Sequence, residues 1–141
     1  MDARSVLEKI RILDAQIEYK KEEIESLWSQ IVYTGAGTGE KVQATKNLHK
    51  KSDLICKYIE LVQELENQIN EMLEHKRFVM SLIDGLSNSE MIRIAYLKYF
   101  KFMSDIEIAN EFGKTRQWVF ALKNKLISEI ESMLSKKKEH I

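Results

Sequence analysis

The stretch SDIEIANEFGKTRQWVFAL, residues 104–122, carries the pattern on which the fold turns. Ser104 and Glu107 have the Ser-x-x-Glu spacing that caps a helix start. Gly113 suits the end of that helix, because glycine enters left-handed backbone without a steric cost. Thr115 then stands where a second helix would begin. Ala109, Gly113, Val119 and Leu122 occupy relative positions one, five, eleven and fourteen, with apolar Ile108 and Phe112 beside them. Two helices crossing steeply through a short turn need a small residue at the crossing, a glycine at the bend and apolar residues sealing the second helix onto the first. All three demands are met in register, so the stretch reads as a helix-turn-helix. The alternative is an ordinary helical hairpin within a bundle.

With Val119, Leu122 and Leu126 facing inward, the helical period leaves Thr115, Arg116, Gln117, Phe120, Ala121 and Asn124 outward. In a helix-turn-helix the second helix enters the DNA major groove by its N-terminal end. Arg116 suits guanine, Gln117 or Asn124 adenine, and Phe120 and Ala121 a thymine methyl. Lys114, Lys125 and the run Lys136, Lys137 and Lys138 suit phosphate contacts, though such a run also reads as a solvated tail. Phe120 has a second reading, turned into the core or a subunit contact. Trp118 either closes the core against the helix containing YLKYFKF or lies along the DNA backbone.

Working outward, Gly85 marks a helix stop, and Ser87 with Glu90 repeats the capping pattern. The helix begun there is expected to bury Ile92, Ala95, Tyr96 and Tyr99 or Phe100. The last helix is expected to bury Val119, Leu122, Leu126, Ile130 and Met133. Further upstream, Ala3, Val6, Ile10, Leu13, Ile17, Lys20, Ile24, Leu27 and Ile31 alternate three and four apart. A second seam runs through Ile55, Tyr58, Val62, Leu65, Ile69, Met72, Lys76, Val79, Ile83 and Leu86. Each is a long, narrow apolar stripe that needs a partner, so the two are expected to face each other as a coiled-coil stalk. Lys20 and Lys76 interrupt the seams, either marking their edges with ammonium groups in water or fixing the register of pairing.

Between the seams lies YTGAGTGEKVQAT, residues 33–45. Phosphate-binding glycine loops leave a strand and enter a helix, often ending in Gly-Lys-Ser/Thr. This stretch follows a helix and lacks that ending. It reads as the turn of an antiparallel hairpin through Gly35, Gly37 and Gly39, with the second helix resuming between Thr45 and Asp53. The expected fold is therefore all-α, a long antiparallel helical hairpin over residues 1–86 followed by a DNA-binding domain over residues 87–141.

Composition agrees with this organisation. The 141 residues include no Pro and only five Gly, which favours helix. Residues 1–86 hold 12 Lys/Arg against 15 Asp/Glu, whereas residues 87–141 hold 10 against 7, so the basic part is the one suited to a polyanion. No run of 18 apolar residues and no signal-like N-terminus is present, so a cytoplasmic protein without a membrane partner is expected. Cys56 is expected at the core or its boundary. His49, His75 and His140 are scattered and expected on the surface. No catalytic group, metal or cofactor is implied.

The segment LKYFKFMSDIEIANEFGKTRQWVFALKNKLISEI, residues 97–130, resembles region 4 of sigma-70-type factors. With KIRILDAQI, EKVQAT and the long middle helix, the whole chain is similar to a family of small proteins from phages of Gram-positive bacteria, near the RinA and ArpU type of late-gene regulators. The resemblance implies that Arg116, Gln117, Phe120 and Ala121 occupy base-facing positions. Sigma factors usually carry polar residues where this chain has Phe120 and Ala121, which implies a different target sequence. The expectation is a sequence-specific, non-enzymatic regulator of transcription that binds double-stranded DNA as a homodimer, its stalk serving dimerisation or contact with host RNA polymerase. A helical adaptor between proteins, with the C-terminal module as scaffold, is the competing expectation.

Overall fold

The computed structural model describes the backbone of residues 2–35 and 41–139 and the side chains of residues 2–33 and 48–137. Regular structure among the described residues is all helical: α1 (Ala3–Gly35), α2 (Lys41–Asp84), α3 (Ser89–Tyr99), α4 (Asp105–Phe112) and α5 (Arg116–Glu139). The expected all-α class holds. Gly37 and Gly39 of the expected turn lie outside the described residues. The second helix starts earlier than expected, at Lys41. Among the described residues no helix is long and apolar enough to cross a membrane.

The chain divides into two compact units, Met1–Leu13 with Met72–Ile141, and Asp14–Glu71. In the first, the start of α1 and the end of α2 share a core with α3, α4 and α5. Leu7, Ile10, Val79, Leu82, Ile83, Ile94, Ile108, Val119, Leu126 and Ile130 are its buried centre. Free groups at helix ends are taken up by side chains near in sequence and far from it. The N-terminal amides of α1, which have no intrahelical acceptor, are taken by Asp2 Oδ1, accepting from Ser5 N at 2.7 Å, and by Glu131 Oε2, accepting from Ala3 N at 2.8 Å. His75 Nε2 lies 2.7 Å from Val6 O, so this histidine is half-buried and bonded, not a free surface residue.

In the second unit, Leu27 and Ile31 of α1 pack on Leu61 of α2, with Ile24, Leu54 and Tyr58 around them. The α1 seam is as read: its apolar members are buried, except that Ile24 is half-buried like Lys20. The α2 seam holds at Val79, Ile83 and Leu86, which are buried, and needs correction upstream of them. The stripe turned inward within this unit is Leu54, Tyr58, Leu61, Leu65 and Gln68, whereas Ile55 is exposed. Gln68 Oε1 is buried there without a hydrogen-bond partner. Lys20 meets neither expectation simply, because its ammonium lies 2.8 Å from Glu64 while its side chain is only 18% exposed. That hydrogen bond raises the Lys20 pKa above its ordinary value. Cys56 is exposed, contrary to its expected place at the core.

Three local expectations in the first unit also change. Asn88, not Ser87, caps α3, accepting from Glu90 N at 2.7 Å, because Ser87 is held by Glu129 through its amide at 3.0 Å and its hydroxyl at 2.9 Å. The buried face of α3 is Met91, Ile94, Ala95 and Tyr99; Tyr96 is exposed, edge-on to Phe100 at 5.5 Å. Gly85 follows the last residue of α2, as read, though its backbone is not left-handed; a Cβ there would stand 3.3 Å from the end of Met133. On α5, Val119, Leu126, Ile130 and Leu134 are buried, while Leu122 and Met133 are half-buried.

Candidate nucleic-acid interface

The surface built by α4 and α5 starts from three backbone devices. Ser104 Oγ accepts from Glu107 N at 3.2 Å and donates to Glu107 Oε1 at 3.0 Å, which fixes where α4 begins. At the other end Gly113 has φ 64° and ψ 35°. Its amide donates to Asn110 O at 3.2 Å, and the Lys114 amide donates to Ala109 O at 2.9 Å. Together these are the two bonds of a Schellman ending, which satisfies the last carbonyls of α4 and turns the chain. Thr115 Oγ1 then accepts from Trp118 N at 3.2 Å and starts α5. Ile108, Ala109 and Val119 are buried, so the small side chain of Ala109 lies within the packing between the helices.

Lys114, Thr115, Arg116, Gln117, Phe120, Ala121, Asn124 and Lys125 are all exposed. Phe120 is 56% exposed, so the reading that turned it into the core of this chain fails. Trp118 is half-buried, but its partner is Phe112 of α4, with ring centres 5.3 Å apart, and not the aromatic residues of α3. Phe112 in turn lies under the Arg93 guanidinium at 4.7 Å.

Charge on this surface is sorted by Asp105. Its carboxylate lies 2.9 Å from Lys98 Nζ and 3.3 Å from Lys123 Nζ, so both lysines are internally paired. The Lys98 hydrogen bond holds the Asp105 carboxyl below its ordinary value, outweighing partial burial, and the Lys123 charge adds to the effect. Lys114, Arg116 and Lys125 have no carboxylate partner among the described residues. The first turn of α5 carries no acidic residue, so the positive end of its dipole adds to these cations. An anion is therefore favoured at this helix end. A shallow open groove lined by Asp105, Arg116, Gln117 and Phe120 runs beside it.

Asp105 and Lys123 are the members of this surface that sequence reasoning did not single out. Their partnership spans 18 positions and follows no helical spacing. Of the C-terminal lysines, Lys137 lies over the Phe78 ring at 4.8 Å. Among the described residues, no three His, Cys, Asp or Glu side chains gather closely enough to hold a metal ion.

A family described as proteins of unknown function, DUF1492, matches residues 31–131. The chain belongs to the DUF1492 family. The matched span covers α2, α3, α4 and the part of α5 that carries the exposed residues above. No curated protein and no solved structure gave a match. The DUF1492 description assigns no activity, so a functional reading has to rest on the chemistry of the surface.

Proposed function

We propose that this protein is a sequence-specific DNA-binding regulator of transcription, with α4 and α5 acting as a helix-turn-helix and α1 and α2 as an antiparallel stalk. One observation carries the reading. Immediately after the left-handed Gly113, a single exposed face of α5 offers Arg116, Gln117, Phe120, Ala121 and Asn124, flanked by Lys114, whose ammonium lies 5.8 Å from the Trp118 ring centre, and Lys125, neither with a carboxylate partner among the described residues. Those side chains have the donors and apolar groups that read base edges, and the lysines suit the phosphates on either side. The likeness to sigma region 4 and to the phage regulators of the RinA and ArpU type supports the same reading.

The mechanism follows from these roles. The α5 N-terminus enters the major groove, Arg116 addresses guanine, Gln117 or Asn124 addresses adenine, and Phe120 with Ala121 meets a thymine methyl. A homodimer would read two half-sites, and the stalk is then free to hold the second copy or RNA polymerase. Selection of bound sites from random duplex DNA tests the proposal: enrichment of a two-fold symmetric site is expected. No enrichment over the starting pool would reject it in favour of an adaptor.

A further inference from the structure

Asp105 and Arg116 line the same shallow groove, yet among the described residues Arg116 has no carboxylate partner. A planar guanidinium and a carboxylate form a strong two-bond pair when they come within reach. Here the carboxylate is engaged elsewhere. Asp105 Oδ1 accepts from Lys98 Nζ of α3 at 2.9 Å, and Oδ2 accepts from Lys123 Nζ of α5 at 3.3 Å, so each oxygen has its own ammonium. The side chains of Lys98, Lys123 and Asp105 are 23%, 19% and 24% exposed, and charges partly withdrawn from water attract more strongly than exposed ones. Arg116 stands in solvent. Asp105 has its own reason to be there: it is the first residue of α4, where the helix dipole favours a carboxylate. A position that suits α4 therefore sets a negative group beside the cation assigned to guanine.

We propose that Lys98 and Lys123 are positioning residues: by holding Asp105 they keep its carboxylate off Arg116 and leave the Arg116 guanidinium available to a guanine edge. This deepens the reading of α5 as a base-reading helix and rests on it. Neither lysine has to touch DNA, since both are half-buried and paired, unlike the exposed Lys114 and Lys125. Without the two ammonium groups, Asp105 turns to Arg116 and competes with guanine for the same donors. Lys123 Nζ also stands 5.8 Å from the centre of the Phe120 ring, so the same lysine is anchored against another residue of the groove.

Lys98→Met combined with Lys123→Met removes both ammonium groups and keeps aliphatic stems of similar length. The probes are a duplex carrying the site enriched from random DNA and the same duplex with the Arg116-dependent G·C pair changed to A·T. The paired variant is expected to lose about fivefold or more of its preference for G·C, the discrimination of a bidentate guanine contact. Adding Asp105→Asn should restore the preference. Adding Glu90→Gln, which removes the same charge from an exposed position of α3, should not. An unchanged preference in the paired variant, or equal restoration by Glu90→Gln, would overturn the proposal. Titration of the Asp105 carboxyl by NMR, without DNA, separates this failure from failure of the α5 reading. In the paired variant the carboxyl should stay below its ordinary value, because Arg116 replaces the lysines, and should rise when Arg116→Ala is added. No rise would overturn the proposal whatever α5 binds; a rise without base discrimination would reject the α5 reading and leave the hold on Asp105 standing. Lys98→Met alone, which removes the nearer ammonium, should move both measurements in the same directions.

Discussion

Replacing Gly113 with alanine isolates the bend between α4 and α5. At φ 64° a residue with a Cβ sits in left-handed backbone, which costs about 1–2 kcal/mol. Beyond its chain neighbours nothing lies within 4 Å of the added Cβ, so no packing clash increases that cost. Alanine also restricts the unfolded chain, which returns roughly 0.4–1 kcal/mol. The net expectation is a loss of about 1 kcal/mol, with Gly113→Asn losing about half as much because asparagine tolerates this conformation. Gly85→Ala is the control. Its backbone is not left-handed, and the Cβ would meet the flexible end of Met133 at 3.3 Å and Leu82 O at 3.4 Å. A small shift of Met133 offsets the gain from the unfolded chain, so stability should stay within about 0.5 kcal/mol of the parent. Urea unfolding at constant m-value measures all three. If Gly113→Ala matched the parent, or Gly85→Ala were the more damaging change, the backbone argument for this turn would be wrong.

Three further outcomes are expected. The Asp105 carboxyl is held below its ordinary value, so its stabilising contribution is present above about pH 4 and is lost as pH falls through the depressed value; Asp105→Asn should be less stable at neutral pH and should flatten the acid limb of the stability profile. Burial, aided by the nearby Glu8 charge, pushes the Tyr99 phenol up to about 12, so its contribution is intact below about pH 10 and disappears towards pH 12; absorbance titration should find one late-ionising tyrosine, absent in Tyr99→Phe. Arg116→Ala should cost about 1–3 kcal/mol of DNA binding and relax preference at one base position, and equal weakening for every sequence would remove its base-reading role.

The sequence was most legible where one physical demand acted alone. The α1 seam has a single narrow apolar stripe, and its apolar residues are buried except for half-buried Ile24, with Leu7 buried beside them. Gly113 and the caps Ser104 and Thr115 were readable because turn chemistry is local. On α2 the apolar column Ile55, Ile59, Val62 and Ile69 lies one residue beyond the inward stripe, and the seam Ile55, Tyr58, Val62, Leu65, Ile69 takes alternate members from each. Periodicity cannot separate them, because both columns are apolar; only the position of α1 distinguishes inside from outside. Ser87 and Asn88 can each cap a helix, and a carboxylate 42 positions away occupies the first. His75 binds a carbonyl 69 positions away. Such partnerships belong to tertiary packing and leave no spacing to read. Within the candidate surface the outward residues of α5 followed from helical period, while Asp105 and its two lysines did not.

The salt dependence of affinity for duplex DNA addresses the central claim most directly. Two protomers each contributing Lys114 and Lys125 to phosphates imply a logarithmic slope of about −3 to −4, and Lys114→Ala should flatten it by about one unit per protomer. Linear loss of affinity with added salt, reduced in that variant, is the predicted result. Duplex binding that is absent at low salt, or that salt does not weaken, would contradict the account.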